Sequence, residues 1–208
     1  MVEHLYGIDY GAKLAGTTVV AWLSGRTLQF SASAKKQNAD RFLLDFFSDR
    51  PPGKIFIDAP LSLPKVYRRG SNDSPPASSF ATEEDLPDFH YRACDRALGA
   101  MSPMFLGGLT ARAMKLAFQL RRDGHTVQET YPGMLARHLE LTTSGYKGDK
   151  KEIERCLNIA INTFDVTCPA ELLLNWHHFD ALLALSSALR HERREATIVG
   201  DEEGLIVF

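Results

Sequence analysis

Apolar and polar residues change their period along this chain, and the changes mark out its elements. His4 to Asp9 and Thr17 to Leu23 are short runs of strand-forming residues separated by Gly11 and Gly16. They predict two strands joined by a glycine-bearing turn. Ser24-Gly25-Arg26 is a hairpin turn, and the alternation from Thr27 to Ser33 predicts a third strand. From Asn38 to Asp49 the period lengthens: Phe42, Leu43, Phe46 and Phe47 recur at helical spacing behind Asn38, whose side chain suits a helix start. Pro51-Pro52-Gly53 stops that helix, and Lys54 to Ile57 then reads as a buried strand running into Asp58-Ala59-Pro60.

The pattern lapses from Leu61 to His90, a loop whose length within a compact domain points to function or mobility. It resumes at Leu109 to Arg122, a helix with Ala113, Leu116, Ala117 and Leu120 on one face, closed by Asp123-Gly124. Thr126 to Tyr131 predicts another strand, Met134 to Leu141 a helix, and Lys151 to Asn162 a further helix behind the polar, lysine-bearing loop Ser144 to Lys151. A last long helix is predicted from about His177 to His191, followed by a small hairpin, Thr197 to Val199 and Leu205 to Val207. This succession predicts an α/β fold: a mixed five-stranded sheet with helices on both faces and a small C-terminal hairpin beside it. A single domain over residues 1–208, with a loop insertion at about 61–90, accommodates all of it.

Composition narrows the function classes. A formal net charge of −2 argues against a protein that coats nucleic acid by bulk charge, while leaving room for a local basic surface. Cys94, Cys156 and Cys168 are odd in number and scattered, so neither a zinc site nor a disulfide framework is expected. The N-terminal residues lack the pattern of a signal peptide, and no apolar stretch is long enough to span a membrane. The expectation is a soluble, cytoplasmic protein with no membrane partner.

Four acids share an address. Asp9, Asp58 and Glu129 each fall at or near the C-terminal end of a predicted strand, the edge where open α/β sheets bind ligands. Asp180 falls in the first turn of the last long helix, ahead of an Ala/Leu-rich stripe. Two carboxylates about 4 Å apart repel by on the order of 1 kcal/mol in water and ~4 kcal/mol at an effective dielectric of 20. A converging set persists if a divalent cation neutralises it or if members take up protons, and carboxylate oxygens suit Mg²⁺ or Mn²⁺. Each acid alone has a plainer reading: Asp9 as a turn cap, Asp180 as an acid favoured by the helix dipole, Glu129 as a solvent-facing strand residue. Asp58 is the hardest to dismiss, because Ile55-Phe56-Ile57 runs from core directly into it.

Gly7-Ile8-Asp9-Tyr10-Gly11, Ile57-Asp58-Ala59-Pro60-Leu61-Ser62-Leu63-Pro64, Arg92-Ala93-Cys94-Asp95-Arg96, Gln128-Glu129-Thr130-Tyr131-Pro132 and Asp180-Ala181-Leu182-Leu183-Ala184, taken in order, resemble the family called domain of unknown function 429. The resemblance runs through nearly the whole chain to Val199-Gly200 and Glu203-Gly204-Leu205-Ile206. That family is described as ribonuclease-H-like nucleases with a fold related to RuvC-type resolvases. The resemblance implies a metal-dependent nuclease whose acids on the first strand, the fourth strand and the last helix hold two divalent cations, Mg²⁺ or Mn²⁺. Carried over by position, these are Asp9, Asp58 and Asp180. Glu129 matches the first acid of the family's Glu-x-His-Pro-Glu motif, with Tyr131 in place of the histidine and Gly133 in place of the second acid.

A two-metal phosphodiesterase needs cations to meet the substrate's phosphates. Arg68 and Arg69 in the long loop, Arg92, Arg96 and Arg112 are the candidates, with Lys147, Lys150 and Lys151 read first as a solvated face. Cys94-Asp95-Arg96 reads as a local ion pair rather than a nucleophile. Of His177 and His178, which leave a helix in different directions, one at most can approach the acids. Two rival classes stand beside the nuclease acting on RNA or DNA. One is a catalytically inactive ribonuclease-H-like binding module. The other is an actin-like or sugar-kinase-like nucleotide-binding protein, which requires a second lobe that a chain of this length does not supply.

Overall fold

A computed structural model describes residues 4–67, 87–169 and 175–208. The three N-terminal strands form as β1 (Leu5–Asp9), β2 (Val19–Ser24) and β3 (Thr27–Ala32), an antiparallel meander. Helix α1 (Ala39–Ser48) follows, capped as expected by Asn38, whose side chain accepts the backbone N–H of Asp40 and Arg41. Strand β4 (Lys54–Asp58) then returns parallel to β1. Two short helices that the period does not reveal come next, α2 (Ala93–Leu98) and α3 (Pro103–Leu106); six and four residues are too few to establish one. Beyond them lie α4 (Gly108–Arg122), β5 (Thr126–Thr130), α5 (Pro132–His138), α6 (Glu152–Phe164) and α7 (Trp176–Glu192). Helix α5 starts two residues before its expected position because Pro132, lacking an N–H, fits the first helical turn.

The strand count corrects the expectation of five. The C-terminal hairpin, β6 (Ile198–Asp201) and β7 (Gly204–Val207), does not stand apart: β7 pairs parallel with β5 through Glu129–Ile206 and Thr130–Val207. One seven-stranded mixed sheet results, in the order β3-β2-β1-β4-β5-β7-β6.

Helices cover both faces. Tyr6, Ile8, Val20, Ile55, Ile57 and Val127 point to one side and pack against α1 and α4 through Leu43, Phe46, Phe47, Ala113, Leu116 and Leu120. On the other side Val19, Ala21 and Leu28 meet α5, α6 and α7. Period-two alternation therefore turns Gly7, Asp9, Phe56 and Asp58 toward α7. Gly7 is what lets that helix come close. A Cβ there would stand 2.0 Å from the backbone N of Leu185 and 2.4 Å from the carbonyl O of Ala181. The main chain of α7 thus lies directly on β1, and the helix carries Asp180 to the strand ends.

Candidate active site

Asp9 and Asp58 are the last residues of β1 and β4 and stand opposite each other in the parallel register. Neighbouring strands run about 4.8 Å apart, so the two carboxylates leave the same face at the same level. Asp180 comes in from α7, whose start is fixed by Asn175: its side chain accepts the N–H of His177 and His178. That cap places Asp180 just past the first turn, which weakens the helix-dipole account of it, and buries it to 3% exposure. The three acids expected from the first strand, the fourth strand and the last helix lie near enough for their charges to act on Asp9 and Asp58. Burial, then Asp9 and Asp180, push the Asp58 carboxyl well above its ordinary value. Burial also raises Asp9, against a lowering bond to His177, and Asp180 adds to the rise.

Cationic and polar groups close over this cluster. His177 Nδ1 lies 2.7 Å from Asp9 Oδ2, and that bond, opposed by burial, raises the imidazole above its ordinary value. Lys147 Nζ lies 2.8 Å from Asp180 Oδ2. The hydroxyl of Tyr146 donates to the other oxygen, Oδ1, at 2.5 Å. Burial and then Asp180 push the Tyr146 phenol far up, so it keeps its proton and remains a donor. Both residues sit in the turn after a 3₁₀ segment (Leu141–Ser144), where Gly145 at φ 93° and Lys147 at φ 61° fold the chain back over the acids. Of the adjacent histidines only His177 reaches an acid; His178 is buried, with Nδ1 on Asn175 and its ring against Phe30.

Glu129 is bonded to Arg92 rather than to the other acids, although its charge still adds to the rise of Asp58. It pairs with Ile57 across the sheet, so alternation sends its side chain from the face opposite to that of Asp58. There both of its oxygens bond Arg92, at 2.6 and 2.7 Å, and the N–H of Leu61 donates to one of them at 2.9 Å. Arg92, expected at the substrate surface, is fully buried. Its guanidinium also donates to both oxygens of Asp95, at 2.6 and 2.9 Å, and to Ser62 at 2.9 Å. Burial alone would lower Arg92, but Glu129 and Asp95 outweigh it and hold the guanidinium charged. It is a bolt joining β5, α2 and the segment after β4, with no donor turned to solvent.

The other expected phosphate contacts are also committed. Arg112 forks onto both oxygens of Asp40, with Nη2 at 2.6 Å, and lies over the Tyr10 ring. Arg96 pairs with Asp88 and stacks on Tyr91, leaving its side chain largely exposed. Arg68 and Arg69 lie outside the described residues. Asp95 takes Arg92, not Arg96, as its partner, and burial pushes the Cys94 thiol up to about 12, so no nucleophile arises there. Gly133 tolerates no larger residue without displacing the Tyr131 ring, 3.0 Å from where a Cβ would stand.

The sequence reading set Lys147 aside as part of a solvated face, allowed one of the two histidines near the acids without choosing it, and did not name Tyr146. The one local signal was a pair of glycines, Gly145 and Gly148, bracketing an aromatic and a lysine inside a polar loop. The donor set is three carboxylates with nothing softer, which in chemistry fits a hard divalent cation. As the side chains stand, no three His, Cys, Asp or Glu groups among the described residues are spaced to hold a metal ion. Lys147, Tyr146 and His177 take three of the oxygens that one would need. No described helix is long and apolar enough to cross a membrane. In comparisons with known proteins the chain matches no family model, no curated protein and no solved structure.

Proposed function

We propose that this chain is a divalent-metal-dependent nuclease with a ribonuclease-H-like fold, hydrolysing phosphodiester bonds in RNA or DNA at Asp9, Asp58 and Asp180. The observation that carries the reading is the in-register pair Asp9–Asp58 at two strand ends with Asp180 of α7 close enough to act on both, against their mutual repulsion. A fold does not gather such a cluster for stability, because raised carboxyls cost the native state free energy at neutral pH. The origin of the acids on the first strand, the fourth strand and the last long helix also supports the resemblance to domain of unknown function 429.

Bound Mg²⁺ or Mn²⁺ would supply charge neutralisation and water activation. Asp9, Asp58 and Asp180 would hold it. Tyr146 fixes the rotamer of Asp180 by its short bond, and His177 orients Asp9. Glu129 keeps Arg92 in place and through it the strand ends, so its part is structural. One observation favours a second reading, a silent scaffold: Lys147 and His177 already balance much of the acids' charge. Calorimetric titration with Mn²⁺, together with cleavage assays on single-stranded, duplex and branched RNA and DNA, separates the two. The nuclease reading expects metal uptake lost in Asp9→Asn, with cleavage of at least one substrate. No uptake and no cleavage by the wild type would sink it.

A further inference from the structure

Between α1 and β4 the chain turns through Pro51-Pro52-Gly53, and the two prolines bring no N–H to it. Arg50 N donates to Phe47 O and Lys54 N to His4 O, which leaves the turn the donor of Gly53. That donor goes to a side chain: Gly53 N–H donates to Nδ1 of His125 at 3.2 Å. One residue on, Thr126 N–H donates back to Gly53 O at 3.0 Å. The two bonds tie the α1–β4 turn to the α4–β5 turn where the parallel strands β4 and β5 begin, the end of the sheet opposite to Asp58. His125 is 4% exposed there, with its ring edge-on to that of Phe47 at 5.1 Å.

An Nδ1 that accepts a hydrogen bond carries no proton, so this ring is neutral with its proton on Nε2. Imidazolium carries a proton on both nitrogens, and the one on Nδ1 would face the Gly53 N–H, donor against donor. Burial lowers the imidazole below its ordinary value and outweighs Asp123 and the Gly53 main chain, which act the other way. Other charged groups around the joint have partners of their own: Arg50 bonds Phe46 O and lies over the Phe46 ring, and Lys54 pairs with Glu192. Tyr6, packed on Phe47, has its phenol raised by burial against Arg50 and stays neutral, and His4 is exposed.

We propose that His125 is an acid-released latch: below neutral pH its ring takes up a proton, lets go of the Gly53 N–H and frees the two turns, while the central strands stay paired. The inference stands apart from the nuclease reading. Its sign follows from the burial of a neutral ring. The released state, in which the ring meets water, takes up the proton first. The contribution of the latch is therefore complete above about pH 6.5, the ordinary imidazole value, and is lost as pH falls from there toward the lowered value.

Nuclear magnetic resonance on the whole chain tests this. The ¹⁵N shifts of the His125 ring should report a proton on Nε2 and none on Nδ1 at about pH 7.5. Amide exchange, corrected for its intrinsic pH dependence, should show Gly53 and Thr126 opening about tenfold more at about pH 5 than at about pH 7.5, with the amides of β1 unchanged. His125→Asn keeps an acceptor oxygen near the place of Nδ1 but takes up no proton, so its Gly53 amide should show no such response. His4→Asn, the control for the neighbouring imidazole, should respond as the wild type does. A proton on Nδ1, an acid-insensitive Gly53, a response retained in His125→Asn or one lost in His4→Asn overturns the latch. Equal opening in β1 would mean general unfolding and overturns it too. If His125→Asn does not fold, the ring tautomer and exchange profile of the wild type still decide.

Discussion

Gly7 is where fold and site depend on the same few atoms, and Gly7→Ala measures both. The new Cβ would stand 2.0 Å from Leu185 N, 2.4 Å from Ala181 O and 2.7 Å from Ala184 C, all of them backbone atoms that no rotamer change can move aside. Ordinary contact begins near 3.4 Å, so α7 and β1 must part by about 1.4 Å, a shift carried along the helix toward Asp180. Overpacking of this kind costs about 1–3 kcal/mol, which for a chain of this size lowers Tm by about 2–12 °C. At the site a displacement of about 1 Å can cost on the order of 100-fold in rate. Differential scanning calorimetry and Mn²⁺ titration of the same preparation read the two effects together. Gly108→Ala is the control, because a Cβ there meets nothing within 4 Å. If Gly7→Ala melts with the wild type and binds Mn²⁺ equally well, the close approach of α7 does not position Asp180 and the reasoning is wrong.

Other outcomes follow from the ion pairs. Arg92→Met leaves Glu129 and Asp95 buried without their cation and should cost about 3–5 kcal/mol in urea denaturation; a loss below about 1 kcal/mol would contradict the bolt. Glu129→Gln, assayed where it remains folded, should bind Mn²⁺ within about twofold of wild type, since Glu129 leaves the sheet on the other face. Asp58→Asn should raise the Tm of the metal-free protein near neutral pH, because a raised carboxyl destabilises the fold once ionised, and should abolish stabilisation by Mn²⁺. At Asp40, burial pushes the carboxyl up, but bonds from Arg112 and Tyr10 outweigh it and hold it below its ordinary value. Its contribution is present above about pH 4 and lost as pH falls through the lowered value, so the Tm gap between wild type and Asp40→Asn should narrow only in acid.

Long elements were legible because each carries several repeats of its period: β1 to β5, α1, α4, α6 and α7 form within two residues of their expected ends. Asn38 caps α1 by the chemistry its side chain announces. The hairpin was recognised, but not its place in the sheet, because parallel pairing with β5 is a long-range event that no local pattern records. Asp9, Asp58 and Asp180 were legible from their positions at element ends. Glu129 misled because a strand-end position was noted without its parity, and one residue of register is enough to reverse the face. Arg92 misled in the same manner: nothing local shows that an arginine will find two carboxylates in the core. Lys147 was read first as solvated because a lysine in a polar loop ordinarily faces solvent, and the contact with Asp180 spans 33 positions of chain.

The join between β5 and β7 has a further consequence. Only two residue pairs hold the strands together, and beyond them they part around a cleft of about 610 Å³ lined by Val127, Gln128, Ile198 and Leu205. Arg121 covers one carbonyl on that stretch, bonding Val127 O at 2.8 Å. The terminal hairpin is therefore the thinnest seam of the sheet. Its amide protons should exchange with solvent ahead of those of β1 and β4, and each opening bares a run of β5 able to pair with another chain. At high protein concentration, self-association should begin from this margin, and a lysine at Ile198 or Leu205, both half exposed, should suppress it.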